Sequence, residues 1–441
     1  MQFDESLRYL LSLGHETLAI KLGLRNTELL LAAFGDPQRS YPVVQIAGTN
    51  GKGSTAVILD SICSAAGIKS GLFTSPHLVS ITERVRIGGQ EISQESFAQH
   101  ATQVRDAAQQ LVDQGEIEVL PTFFEQLTAI ALLAFREAKV ALAILETGLG
   151  GRLDSTSAAK ADLVAITPIA IDHEEYLGNT LESIAGEKAA IIRPGVTAII
   201  APQSARALEV ILRQCERSNV QPSIANFPVR FEDTSADGRC CATFETRQDR
   251  YEHILIGLRG RHQTTNVAVA IRLAESLPVS VPRWAIIEGI ESARHSGRLE
   301  LWETKPSFLF DGAHNTAGAQ ALRDYLDEFV RTPLTLVFGV MRDKNLDEMA
   351  AILFGAASQL VLTRSENERA ASVETLREVA TRVVDQGKIS TADSVRDALR
   401  IALEITPQNG VVCFTGSLYL IGEAQSAAKE ITVLKSETAK R

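Results

Sequence analysis

A chain of 441 residues exceeds what one hydrophobic core usually organises and, at roughly 100–200 residues per domain, predicts two or three domains. Hydrophobic content of 45% with 22% charged residues argues against disorder, and a formal charge of −10 argues against nucleic acid as the main partner. No apolar run is long enough to cross a bilayer, and five scattered cysteines without zinc or redox spacing predict reduced thiols in a soluble, cytoplasmic protein.

To about Gly35, leucines recur at helical spacing (Leu7, Leu10, Leu11, then Leu29, Leu30). PVVQIAG is a short β-branched run ending in glycine, which predicts a buried parallel strand, and Thr55 to Ala66 then reads as a helix. KSGLFTS, VALAILETG, ADLVAITPI and VTAIIAP read as further strands. ESFAQHATQVRDAAQQLVDQG, TFFEQLTAIALLAFREA and SIAGEKAAII read as the helices between them. This alternation predicts an α/β domain with a mostly parallel, doubly wound sheet. From Pro228 to Ile256 short alternating segments predict a small antiparallel region, followed by helices at His262–Ser276 and Pro282–Glu291. The small, polar stretch SARHSGRLE reads as a linker that divides the chain into residues 1–296 and 297–441. Beyond it SFLFDGAHN, LTLVFGV, QLVLTRS and VVCFTGS are strands, each followed by one helix, which predicts a C-terminal Rossmann-like domain. The polar tail from Lys429 is expected to fray.

Three motifs carry chemistry. The loop Gly48-Thr49-Asn50-Gly51-Lys52-Gly53-Ser54 lies between a buried strand and a helix, so its N–H groups and the helix N-terminus point at one anion. Lys52 reaches terminal phosphates there, and Ser54 or Thr55 positions a magnesium ion. The spacing departs from the common phosphate loop: Ile46 stands where its first glycine belongs, and Gly53 follows the lysine. Glu146, in LETGLGGRLDS, ends a central strand beside this loop, where a magnesium-linked carboxylate belongs; the alternative is a solvated strand-end acid. In IDHEEYLGNTLESIAGEKAAII, His173 is either a ligand or a structural histidine, and Lys188 either a site residue or a surface lysine. Ser75, Asn266, Arg298, Asp311 and His314 sit at strand ends or helix starts, with caps, turns and an interdomain salt bridge as their structural alternatives.

The order of IAGTNGKGST, FTSPHLVSITERVRIGG, PTFFEQ, ETGLGGRLD, DHEEYLG, IAGEKAAII, RGRHQTTNVAVA, SGRLE, DGAHN, FGVMRDKN and TGSLY resembles the folylpolyglutamate synthase/dihydrofolate synthase family of the Mur ligase superfamily. The resemblance implies an ATP-dependent ligase that joins L-glutamate to the carboxylate of dihydropteroate or a reduced folate through an acyl phosphate, in the cleft between two domains. It implies that Thr49, Asn50, Gly51, Lys52, Gly53 and Ser54 hold ATP phosphates, Asn266 the adenine, Arg298 a phosphate, and Asp311 and His314 the ribose and phosphate side. Two magnesium ions are implied, one held by Ser75 and Glu146, the other by Glu146, His173 and a carbamylated Lys188. A folate pocket of Ile20, Lys21, Leu22, Thr122, Phe123, Phe124, Glu125, Leu153, Asp154 and Ser155 follows, with Ser417 orienting the glutamate. Lys52, Lys188 and His314 are the implied catalytic groups, and a monomer is the implied state.

The sequence departs from the family at Lys21, at Ser157 in DSTS, at Arg193 and at Thr316 in DGAHNT; Lys21 and Ser157 fall on the implied folate side. A Mur-type ligase for a nucleotide-sugar peptide is the rival enzyme reading, disfavoured by TSPHL and TFFE. A phosphate-loop switch or motor protein leaves the second domain unexplained.

Overall fold

The computed structural model describes residues 1–14 and 23–438, so Ile20, Lys21 and Leu22 lie outside the described residues. Its first sheet holds β1 (Val43–Ala47), β2 (Ser70–Phe73), β3 (Val85–Ile87), β4 (Gln90–Glu91), β5 (Leu142–Glu146), β6 (Leu163–Ile166), β7 (Thr197–Ile200) and β8 (Ser223–Ile224), in the order β4-β3-β2-β5-β1-β6-β7-β8. All pairings from β2 across to β8 are parallel, and at the other edge β3 is antiparallel to both β2 and β4. Every residue of β1 and β5 is buried, because helices cover both faces. Alternate residues feed two cores: Val43 and Ala47 face one, Val44 and Ile46 the other.

A three-stranded antiparallel sheet, β9 (Val229–Thr234), β10 (Arg239–Glu245) and β11 (Arg250–Arg259), bears out the predicted ribbon region. The second large sheet contains β12 (Glu300–Trp302), β13 (Ser307–Asp311), β14 (Leu334–Phe338), β15 (Gln359–Leu362), β16 (Ile389–Thr391) and β17 (Val411–Thr415), ordered β12-β13-β17-β14-β15-β16. It is parallel except for β12.

Three local expectations are corrected. The helix after the glycine loop begins at Lys52 rather than Thr55. Between β15 and β17 lie two helices, Val373–Val383 and Val395–Ile405, with β16 between them, instead of one helix. β16 has only three residues, too few for periodicity to register. The tail does not fray at Lys429: the last helix runs Leu418–Thr438, anchored where Leu420, Ile421, Ala424 and Ala428 are buried against the second sheet.

Register places the site. Ile46 pairs with Glu146 and Ala47 with Ile166, so the loops leaving β1, β5 and β6 emerge along one edge. Asp311 and Phe338 both pair with Thr415, so the loops after β13, β14 and β17 share an edge of the other sheet. The carboxyl ends of parallel strands are where open α/β sheets bind ligands.

Candidate active site

The two edges line one cleft of about 530 Å³. Thr49 to Ser54 of the glycine loop, Ser75, Thr122, Phe124, Glu125, Glu146, Leu153, Asp154, Ser155, His173, Lys188, Asn266, Arg298, Asp311, His314 and Ser417 all border it. Phe123 does not: it is 4% exposed in the core, with the Arg84 guanidinium over its ring. Adjacent residues on a helix point about 100° apart, so only one of the Phe123–Phe124 pair can face the cleft. Ser157 is also buried, its hydroxyl donating to the Gly151 carbonyl and accepting from Gln45, so that departure is absorbed inside the loop.

The glycine loop is tied to the segment that follows β6. Thr49 N and Asn50 N donate to the Pro168 carbonyl at 3.1 Å each, and the Thr49 hydroxyl donates to Ala170 O. Gly51 has φ +87°, and a Cβ there would lie 2.2 Å from Asn266 Oδ1, so only glycine allows that approach. Lys52 Nζ donates to Thr49 O at 3.1 Å. Burial pushes the Lys52 ammonium below its ordinary range, opposed by Glu146 and Asp172, and burial pushes Glu146 up, opposed by Lys52. Ser54 borders the cleft, whereas Thr55 is fully buried, which settles which of the two faces it.

Glu146 accepts from Ser75 N at 3.1 Å. Gly148 lies beneath the Phe124 ring, where a Cβ would meet Phe124 Cζ at 2.5 Å, and Gly151 abuts the backbone of Glu187 and Lys188. Asp154 is committed to its own loop, accepting from Leu149 N at 2.9 Å and Thr156 N at 3.0 Å. Lys188 is 4% exposed, and burial, then Lys52, push its ammonium down to about 7. The surface-lysine alternative is therefore excluded.

His173 has φ 51°, a left-handed conformation that non-glycine residues adopt at a cost. Among the described residues its buried Nδ1 has no hydrogen-bond partner. No three His, Cys, Asp or Glu side chains gather as a metal cluster among the described residues. The donor set nevertheless fits a hard cation: a buried carboxylate, serine hydroxyls, an orphaned imidazole nitrogen, and a lysine whose low proton affinity permits conversion to an oxygen donor.

Sequence reasoning missed Asp172. It lies beside His173, is 8% exposed, and joins the two sheet edges. Its carboxylate accepts from Lys344 Nζ at 2.6 Å and Asn315 Nδ2 at 3.0 Å and faces His314 Nε2 at 3.5 Å. Although burial raises it, His314, His173 and Lys344 hold Asp172 well below the usual carboxylate range. Asn315 also donates to Asn50 in the glycine loop at 3.1 Å. His314 Nδ1 lies 2.7 Å from the Gly312 carbonyl, which can only accept, so that nitrogen carries the proton. Arg298 donates to the same carbonyl at 3.1 Å. Asp311, raised by burial, accepts from Leu299 N at 2.9 Å and Ala313 N at 3.0 Å. The signal for Lys344 and Asp172 was the DKN and DH runs, legible as strand-end polar groups.

Residues 46–274 match the Mur ligase middle domain and residues 297–418 the Mur ligase, glutamate ligase domain, so the chain belongs to the ligases built on Mur ligase domains. It is 34% identical to the dihydrofolate synthase/folylpolyglutamate synthase of Bacillus subtilis, over 94% of this chain and 97% of that protein. By fold it is similar to Mycobacterium tuberculosis folylpolyglutamate synthase complexed with ADP, with TM-score 0.90, 30% identity, and 96% of this chain and 97% of that one covered. It is also similar to the Yersinia pestis bifunctional folylpolyglutamate synthase/dihydrofolate synthase complexed with AMPPNP and a Mn ion, with TM-score 0.83, 28% identity and coverage of 97% and 98%. The chain belongs to the dihydrofolate synthase/folylpolyglutamate synthase family.

Proposed function

We propose that this protein joins L-glutamate to the carboxylate of dihydropteroate and of reduced folates, using ATP, as a cytoplasmic monomer acting on small molecules. The observation that carries this reading is one cleft bordered together by the glycine loop, by Phe124 and by Ser417. We assign residues 1–296 and 297–441 to the two domains that flank it.

The carboxylate oxygen attacks the γ-phosphorus of ATP, the bond to the bridging oxygen breaks, and ADP leaves. The glutamate nitrogen then attacks the acyl carbon of the acyl phosphate. The carbon–oxygen bond breaks, and phosphate departs carrying one oxygen of the original carboxylate. Thr49 to Ser54 cradle the phosphates, Lys52 and Arg298 neutralise developing charge, Asn266 binds adenine, and Asp311 and His314 hold the ribose side. Ser75 and Glu146 would hold one magnesium ion, and Glu146, His173 and carbamylated Lys188 a second, and the ions would neutralise charge on the phosphates. Lys188 suits carbamylation because an amine must be neutral to attack carbon dioxide, and burial pushes its pKa down to about 7.

Phe124 offers its ring face to the pterin, with Thr122, Glu125 and Leu153 to Ser155 around it. Ser417 orients the glutamate. His314 Nε2 takes the amine proton, and Asp172, 3.5 Å away, stabilises the resulting imidazolium. Closure of the cleft keeps water from the acyl phosphate. The test offers purified protein ATP, magnesium and radiolabelled glutamate with dihydropteroate or tetrahydrofolate in parallel. Label incorporation with phosphate release is expected with both; no incorporation with either defeats the reading.

A further inference from the structure

His295 lies in the segment between the helix Arg283–Ser292 and β12, far in sequence from the glycine loop, yet it touches that loop. Its Nδ1 is 3.2 Å from the Ser54 hydroxyl. Its ring also closes on Gly53, where a Cβ would meet His295 Cε1 at 2.9 Å and the Glu146 carboxylate at 3.2 Å. Gly53 is thus a thin wall between the imidazole and the carboxylate. A small polar recess behind the cleft is lined by Ser75, Glu146, His295 and Arg298.

The segment bearing His295 has no freedom to drift. The helix Arg283–Ser292 packs against the loop's own helix, Lys52–Ala65, so closely that a Cβ on Gly289 would lie 2.4 Å from Ile62 Cα. Three residues after His295, Arg298 holds the Gly312 carbonyl of the other sheet edge.

We propose that His295 is a positioning residue for nucleotide binding: its ring nitrogen fixes the Ser54 hydroxyl, leaving that oxygen's remaining lone pair turned toward the metal–phosphate side. A free serine hydroxyl samples three staggered rotamers, and a hydrogen bond to a fixed partner selects one before ligand arrives. The inference rests on the reading of Gly48–Ser54 as the ATP site.

A double-mutant cycle on the full chain tests it, with MgADP affinity measured by calorimetry on wild type, His295→Ala, Ser54→Ala and the double variant. His295→Ala should weaken MgADP binding about tenfold, the upper range for one hydrogen bond. In the Ser54→Ala background the same change should cost less than about twofold, because the partner is gone. His295→Asn, whose amide reaches the same hydroxyl, should recover most of the affinity, and His295→Phe, which keeps a ring but no nitrogen, carries the cycle if His295→Ala does not fold. Equal losses in both backgrounds, or no loss in either, overturn the proposal. Wild-type protein that fails to bind MgADP overturns the nucleotide-site reading itself, and this inference with it.

Discussion

At the scale of residues, Lys188 concentrates the argument. An unmodified ammonium at 4% exposure is costly, so the fold carries it for something other than stability. In Lys188→Ala, turnover should fall by about 100-fold or more, as for loss of a metal-supporting ligand. Added acetate or propionate should restore part of it by supplying the missing carboxylate; full activity in the variant would remove the carbamate from the account. Stability should move the other way. With a folded pKa of about 7 against an ordinary 10.5, both folded and unfolded chains are protonated below pH 7, and the burial penalty is then complete. As pH rises from 7 toward 10.5 only the unfolded chain still holds the proton, so stability rises and the penalty fades. In metal-free protein kept free of carbon dioxide, so that Lys188 is unmodified, Lys188→Met should therefore raise Tm by about 1–3 °C at pH 7 and by less at pH 9. Calorimetry at the two pH values checks both sign and trend.

At the scale of elements, two glycine positions separate the two substrate sites. Gly51→Ala drives a methyl into Asn266 and strains φ +87°, so KM for ATP should rise more than about tenfold with little change for the pterin. Gly148→Ala pushes into the Phe124 ring, so the pterin KM should rise while that for ATP holds. Steady-state kinetics with each substrate varied distinguishes them. The sequence made these loops legible because glycine and lysine between a β-branched strand and a helix have few other uses. What remained hidden depended on direction and distance. Phe123 and Phe124 are equivalent in a string, and only the helix's orientation sends one to the core and the other to the cleft. His295 sits in a run that reads as linker, and its 241-residue separation from Ser54 left no periodic trace. β16 and its following helix were lost because three residues give no alternation to count.

At the scale of the molecule, Asp172 and Lys344 bridge the two sheet edges with side chains only 6% and 7% exposed. Removing one member of a buried pair leaves the other charge uncompensated, at about 3 kcal/mol or more; Asn315 and His314 remain near Asp172 and reduce that toward about 2 kcal/mol. Lys344→Ala should lower Tm and speed limited proteolysis within residues 293–299, the segment joining the sheets. Unchanged proteolysis would mean that the bridge does not hold the cleft together.

The whole arrangement serves one chemical claim, that the carboxylate is activated as an acyl phosphate before glutamate arrives. Dihydropteroate labelled with oxygen-18 in its carboxylate, incubated with the protein, MgATP and glutamate, tests this by mass spectrometry of the released phosphate. The account predicts one labelled oxygen in phosphate for each amide formed. Amide formation with unlabelled phosphate, or label appearing in AMP, would contradict it.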